Sequence, residues 1–394
     1  MQLGVCCPSA SSGVLFIRES IEMRVDTHGI VQLARARVCA IACGVTILGP
    51  AARSHVFQMS AAAVDATPAV LEWSNAPDNT WTWKGLTVNY ISAGPEDATP
   101  FLLVHGFGAS SFHWRRNINE LAAEGYRVYA IDLIGFGLSS KPILDYDASL
   151  WREQCAAFLR EVAGCGDSSR RRAIVAGNSI GGYTALNVGA CHPELTLGVV
   201  SLNGAGRFSP SAEEEAAAQA REVVRAGRSA LRVAIDDAVE AAVLSVQRAA
   251  AYVGLFVTKQ PARIKQVLRQ VYPISPEMAD DELVASIQYP ADDPVGLAPP
   301  GGIPEVFFRI ISRNGRGGSV PVDALISQLQ VPLLLLWGEY DPWIVREKGD
   351  AMQRFAEAAG KDVRRVSVNA GHCPQDEAPL EVNEGLIAFA RSLL

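Results

Sequence analysis

The chain has 394 residues, a formal net charge of −7, 49% hydrophobic residues and 20% charged ones. That composition excludes a disordered tail protein, and the acidic balance, with no basic stripe, argues against a nucleic-acid partner. Eight cysteines, at 6, 7, 39, 43, 155, 165, 191 and 373, show no zinc spacing and read as reduced, structural thiols.

The first 70 residues differ from the rest. Lysine is absent before Lys84, whereas Arg18, Arg24, Arg35, Arg37 and Arg53 are present, and Glu19, Glu22 and Asp26 are the acids of the first sixty residues. Few acids with Ser, Ala and Arg is the composition of an organelle transit peptide, so residues 1–70 are expected to be one, plastid in preference to mitochondrial. A secretory signal would start unusually far into the chain. The uncharged run VCAIACGVTILGPAA (38–52) is shorter than the roughly 20 apolar residues of a membrane span and carries Gly and Pro.

Beyond the leader, short β-rich runs alternate with helical stretches. WTWKGLTVNYISAG (81–94) predicts two strands around Lys84-Gly85, and PFLLVHGFG (100–108) a buried strand ending in a Gly turn. Strands follow within LAAEGYRVYAIDLIGFG (121–137), RRAIVAGNS (171–179) and LGVVSLNGAG (197–206). The pattern resumes with VPLLLLWGEYD (331–341) and VRRVSVNAGH (363–372). This alternation predicts an α/β fold, a mostly parallel sheet with helices on both faces, and a site outside the carboxyl ends of the strands. Residues 207–325 break the rhythm: they are Ala-rich and helical, with PARIKQVLRQVY (261–272) at helical spacing. They read as a helical lid inserted between a core of 71–206 and its continuation at 326–394.

At the end of the 171–179 run, GNSIGG places Ser179 between glycines, as in a nucleophile elbow. In that architecture an acid and then a histidine follow the serine. His192 and His372 are the histidines after it. His192 ends the next helix, where capping or packing is its expected role, whereas His372 lies on the loop after the last strand, where a base belongs. Between them, LLLLWGEYDPW offers Glu339 and Asp341; Asp341, farther out and followed by Pro342, is the preferred acid. An oxyanion pocket needs two backbone N–H groups: Ile180, at a helix N-terminus, supplies one and Phe107 of HGFG (105–108) the other. Asp132 in DLIGFGLSSKP reads as a turn-fixing acceptor. Trp114 and Trp343 either line an apolar pocket or pack in the core. No metal site, cofactor motif or Walker loop is present, and a serine at the elbow excludes chemistry that needs an aspartate nucleophile there, leaving acyl transfer to water.

These motifs, together with HGFGASSFHWRRNI, QVYPISPEMADDELV and NAGHCPQDEAPLEVNEGLIAF, resemble the α/β-hydrolase superfamily and within it the pheophytinase-like group, over about residues 80–394. The resemblance implies an α/β-hydrolase fold with Ser179 as nucleophile, Asp341 as acid and His372 as base. It implies a chloroplast enzyme that cleaves the hydrophobic phytyl ester of pheophytin, or of chlorophyll, without a cofactor. No transmembrane segment is expected, and peripheral contact of the lid with thylakoid lipid is compatible with this reading. The Ala-rich run at 211–250 departs from the group's pattern. A general esterase, a C–C bond hydrolase using the same three residues, and a barely catalytic ligand receptor are the alternatives.

Overall fold

The computed structural model describes residues 80–166, 171–227, 229–313 and 320–394. The expected transit segment, residues 1–70, lies outside the described residues.

A hairpin opens the fold. β1 (Thr80–Trp83) and β2 (Leu86–Ala93) pair antiparallel with Trp83 opposite Leu86. Lys84 (φ 50°) and Gly85 (φ 77°) both take positive φ, the two-residue turn whose twist matches the strands it joins. The remaining strands are β3 (Pro100–Val104), β4 (Arg127–Ile131), β5 (Ala173–Asn178), β6 (Thr196–Leu202), β7 (Leu333–Gly338) and β8 (Val363–Val368). They form one sheet in the order β1-β2-β4-β3-β5-β6-β7-β8, parallel from β4 to β8, with β2 antiparallel on β4.

The strands at the centre are buried along their length because both faces are covered. Leu102, Val104, Val175 and Leu335 point into one core cluster; Phe101, Leu103, Ile174 and Leu336 point into the other. The helices flanking the sheet are α1 (Ile118–Ala123), α2 (Ala148–Glu161), α3 (Ile180–Cys191) and, near the C-terminus, α9 to α12. These last are α9 (Val322–Gln328), α10 (Arg346–Ala358), α11 (Pro374–Glu377) and α12 (Pro379–Arg391). The chain moves from β3 outward to β4 and then returns past β3 to β5, so the order reverses between β3 and β5. In open α/β sheets such a reversal is where loops leaving the carboxyl ends diverge.

Between β6 and β7 the described residues contain helices and no strand. α4 (Ala212–Ala226) starts with a capping box in which Ser211 and Glu214 each bond the other's backbone N–H, yet buries no residue. α5 (Ala230–Thr258) is 29 residues long. α6 (Pro261–Val271), α7 (Asp281–Asp292) and α8 (Gly302–Arg313) follow. Ile264 and Leu268 of α6 and Leu283 and Val284 of α7 bury their side chains with Phe112 and Cys373 of the core.

Candidate active site

Ser179 sits between the end of β5 and the first turn of α3, at φ 57° and ψ −117°. A non-glycine residue tolerates such a backbone only when its surroundings fix it. Here Ser179 N donates to Leu202 O at 3.0 Å, and its carbonyl accepts from Ala205 N at 2.8 Å and Tyr183 N at 3.1 Å. The flanking glycines leave room for the turn: a Cβ on Gly177 would strike the Gly181 carbonyl, and one on Gly181 would strike the carbonyls of Val104 and His105. The result is a side chain at a strand tip, 8% exposed.

The acid and the imidazole come from the next two loops. Asp341 follows β7 and His372 follows β8, and His372 Nδ1 lies 2.7 Å from Asp341 Oδ2. The carboxylate accepts from Trp343 N (2.7 Å) and Ile344 N (2.9 Å) on Oδ1 and from Asn203 Nδ2 (2.9 Å) on Oδ2. An ionised carboxylate can only accept, so Nδ1 carries a proton, and in the neutral ring Nε2 then presents its lone pair. Glu339 is turned elsewhere, to Arg365 at 3.1 Å and Arg346 at 3.5 Å. The structure thus brings Asp341, and not Glu339, to His372.

Among the described residues the hydroxyl of Ser179 makes no hydrogen bond in this structure. The link between the two loops is one residue removed: Asn178 Nδ2 donates to His372 O at 2.8 Å. The histidine's backbone N–H donates to Val271 O at the end of α6, 3.0 Å away. Glu377 grips the same loop, taking Gly371 N at 2.5 Å on one oxygen and Ile274 N and Ser275 N at 2.8 and 3.0 Å on the other.

The HGFG turn is fixed from behind. Leu133 N donates to His105 Nε2 at 3.0 Å, so Nδ1 carries the proton and donates to Gly106 O at 2.7 Å. Burial pushes His105 below its ordinary pKa, which keeps this neutral tautomer. The Gly106 carbonyl and the Phe107 N–H share one trans peptide plane and point oppositely, so holding the carbonyl also aims the amide. Among the described residues neither the Phe107 nor the Ile180 N–H donates within the protein.

Other expectations separate cleanly. Trp114 is fully buried in the core, whereas Trp343 is half exposed with its ring 5.1 Å from that of His372. Asp132 accepts from Ser111 N (2.6 Å), Leu138 N (2.7 Å) and Asn89 Nδ2 (2.9 Å), the turn-fixing role. His192 closes α3, its Nδ1 3.2 Å from Arg160 Nη2. Cys155, Cys165, Cys191 and Cys373 are unpaired, and among the described residues no cluster could hold a metal ion.

Sequence reasoning missed Asn203, Asn178 and a buried network behind the base. His113 Nε2 lies 2.7 Å from Tyr272 OH, which lies 3.0 Å from Asp376 Oδ2; Asp376 pairs with Arg115 at 2.9 Å. The tyrosine has one proton and the carboxylate must receive it, so His113 donates through Nε2. Asn203, at φ 41°, followed a strand in LNGAG, and an Asn in such a turn was the available signal.

A family model for the alpha/beta hydrolase family matches residues 101–384. The chain belongs to the alpha/beta hydrolase family. It is 28% identical to the chloroplastic pheophytinase of Arabidopsis thaliana over 76% of its length and 63% of that protein's, so it spans less than two thirds of that relative. It is 26% identical to epoxide hydrolase 3 of Xenopus tropicalis over 78% of this chain and 75% of that one. Among solved structures, a bacterial membrane phospholipase A superposes with a TM-score of 0.57 at 25% identity, covering 80% of this chain and 85% of the other.

Proposed function

We propose that this hydrolase is a serine carboxylic-ester hydrolase in which Ser179, Asp341 and His372 form the catalytic triad. The Asp341–His372 hydrogen bond carries the reading, since it leaves the Nε2 lone pair as the base on the loop next to the elbow. In the first step His372 Nε2 takes the Ser179 proton as Oγ bonds the ester carbonyl carbon, and the amides of Phe107 and Ile180 hold the resulting oxyanion. Collapse breaks the bond to the alcohol, which leaves with the proton from Nε2. Water then repeats the sequence on the acyl-serine and releases the acid. The Oγ–Nε2 contact is one that commonly tightens only with substrate present. Serine at the elbow supports acyl transfer over reactions that begin with a carboxylate nucleophile.

For the substrate we propose a hydrophobic ester, foremost the phytyl ester of pheophytin or chlorophyll. The likeness to a pheophytinase supports it, as does the apolar mouth, where Phe107, Tyr340 and Trp343 stand exposed beside the site. A C20 alcohol buried against such residues contributes several kcal/mol at roughly 25 cal/mol per Å2. The same reading makes residues 1–70 a plastid transit segment and 207–325 the lid.

The test is to incubate the purified protein with pheophytin, chlorophyll and short esters, following products chromatographically beside Ser179→Ala. Phytol release that falls by at least about 10³-fold in the variant, with its circular dichroism unchanged, is the expected result. Turnover of short esters alone points to a general esterase, and wild-type activity in the variant removes Ser179 from the mechanism.

A further inference from the structure

We propose that α5 is a membrane-docking helix that lies flat on a lipid bilayer surface. Of its 29 residues, Arg232–Thr258 are, by length and composition, long and apolar enough to cross a membrane, yet only 11% of the most apolar window is buried inside the protein. A core helix of this composition would be covered by its neighbours; this one is not.

The uncovered side is uniform. Ile235, Val239, Val243, Val246, Val253 and Phe256 are all exposed. At about 100° per residue they fall within an arc of about 140°, and from Asp236 to Thr258 no charged residue enters that arc. Arg232, at the N-terminal end of α5, falls within the arc; the other charges of the helix lie outside it. Glu240 and Arg248 flank the stripe of Leu244, Ala251 and Leu255, of which Ala251 and Leu255 are buried against the protein, and Asp237 lies in line with it toward the N-terminal end. A surface helix is usually charged on its outward side; α5 is apolar there.

The inward side also decides between lying on a bilayer and crossing it. Arg248 pairs with Glu305 of α8 at 3.1 Å and stacks over Phe308 at 5.0 Å; Tyr252 OH donates to Glu305 at 3.0 Å; Lys259 pairs with Asp292 of α7 at 2.7 Å. Crossing the hydrocarbon would strand these groups there, whereas lying in the interface plane keeps them intact and sinks only the apolar face.

A second copy of the chain is the competing occupant. Ile235, Val239, Ala242, Val246, Ala249, Val253 and Phe256 do repeat at the 4-3 spacing of a coiled-coil seam. The positions beside that seam, Ala238, Ser245 and Tyr252 on one edge and Asp236, Val243, Ala250 and Val257 on the other, carry a single charge, Asp236, and so lack the complementary pairs that select and orient a partner helix. An apolar face this wide and unspecific fits fluid acyl chains better than one complementary helix. Docking would also serve the site: α8 packs on α5, and its Phe307 ring lies 6.2 Å from that of Phe107 beside the candidate oxyanion turn. That consequence rests on the ester-hydrolase reading; the docking itself does not.

The experiment is flotation of the full chain with phosphatidylcholine vesicles, beside the triple variant V239E/V246E/V253E. The wild type is expected to float, and the vesicle-bound to free ratio to fall at least about tenfold in the variant, since each charge would have to enter the interface. Circular dichroism and hydrolysis of a soluble short ester serve as controls; both are expected to be unchanged. A wild type that stays in the soluble fraction overturns the proposal, and so does a variant that floats equally well, which assigns the binding to another part of the chain. Sedimentation velocity showing a wild-type dimer that the variant converts to monomer, without flotation of either, assigns the face to a second copy instead.

Discussion

The tips of the central strands and the segment between β6 and β7 obey opposite rules. At the tips the framework is tied on several sides: the carboxylate of Asp341 receives three hydrogen bonds besides that from the imidazole, and the backbone of Ser179 is held through both its N–H and its carbonyl. In the inserted segment α4 buries nothing and α5 presents an apolar side to the outside. The contact of the Asp341 carboxylate with the His372 ring is over-determined by the loops at the sheet's edge, whereas the inserted helices are held along one side only. The chemistry can therefore stay fixed while the inserted segment varies, consistent with relatives that share the fold and act on different substrates.

The sharpest way to break this comparison is at the carboxylate. Asp341→Asn keeps the shape but lets the amide donate, which favours the wrong imidazole tautomer, so kcat is expected to fall about 10⁴-fold with little change in folding. Glu339→Gln, two residues away, removes a partly exposed pairing with Arg365 and Arg346 and is expected to leave kcat within about twofold. Equal losses in steady-state kinetics would mean that the loop as a whole, and not the one hydrogen bond, is what matters. Next in size is Gly181→Ala. Its Cβ would meet backbone carbonyls of Val104 and His105, which cannot rotate away, so a destabilisation of roughly 3 kcal/mol or more is expected in denaturant unfolding. A variant as stable as the wild type would show that the elbow is softer than its contacts imply.

Much of the tip region was legible in the sequence because its parts are strand ends marked by glycine turns. LLVHGFG, VAGNS and LLLLWGEYD each join an apolar run of strand length to a turn, and chain order then left one histidine and two acids to consider. The preference for Asp341 over Glu339 rested on its distance from the strand and on Pro342 after it. What stayed hidden depends on contacts between distant segments: Asn203 reaches Asp341 across 138 positions, and His113 reaches Tyr272 across 159. No local periodicity encodes such pairs. The segment 207–325 was legible as helical, but α5 was not legible as outward-facing, because an Ala- and Val-rich helix has the same pattern whether its apolar side is covered or bare.

The finest probe sits at the junction of the two regions, where the end of α6 meets the loop of His372. His113 is buried between them, and burial, opposed by the nearby Asp376 charge, takes its pKa down to about 4 from 6.5. A histidine whose folded pKa is depressed must be neutral to stay in place, so its contribution is whole above pH 6.5. It is lost as the pH falls toward 4, because the unfolded chain takes up the proton first. About 1.4 kcal/mol per pH unit over that interval amounts to about 3 kcal/mol. His105, also depressed by burial, adds a slope of the same sign, so the wild type alone does not isolate the effect. His113→Gln does: the amide nitrogen replaces Nε2 as donor to Tyr272 OH but does not titrate in this range. Urea unfolding at pH 7.5 and pH 4.5 is expected to show a smaller acid-induced loss in the variant, by about 2 kcal/mol. If both proteins lose the same stability, His113 is already solvated at low pH, and the α6 junction opens before the rest of the fold does.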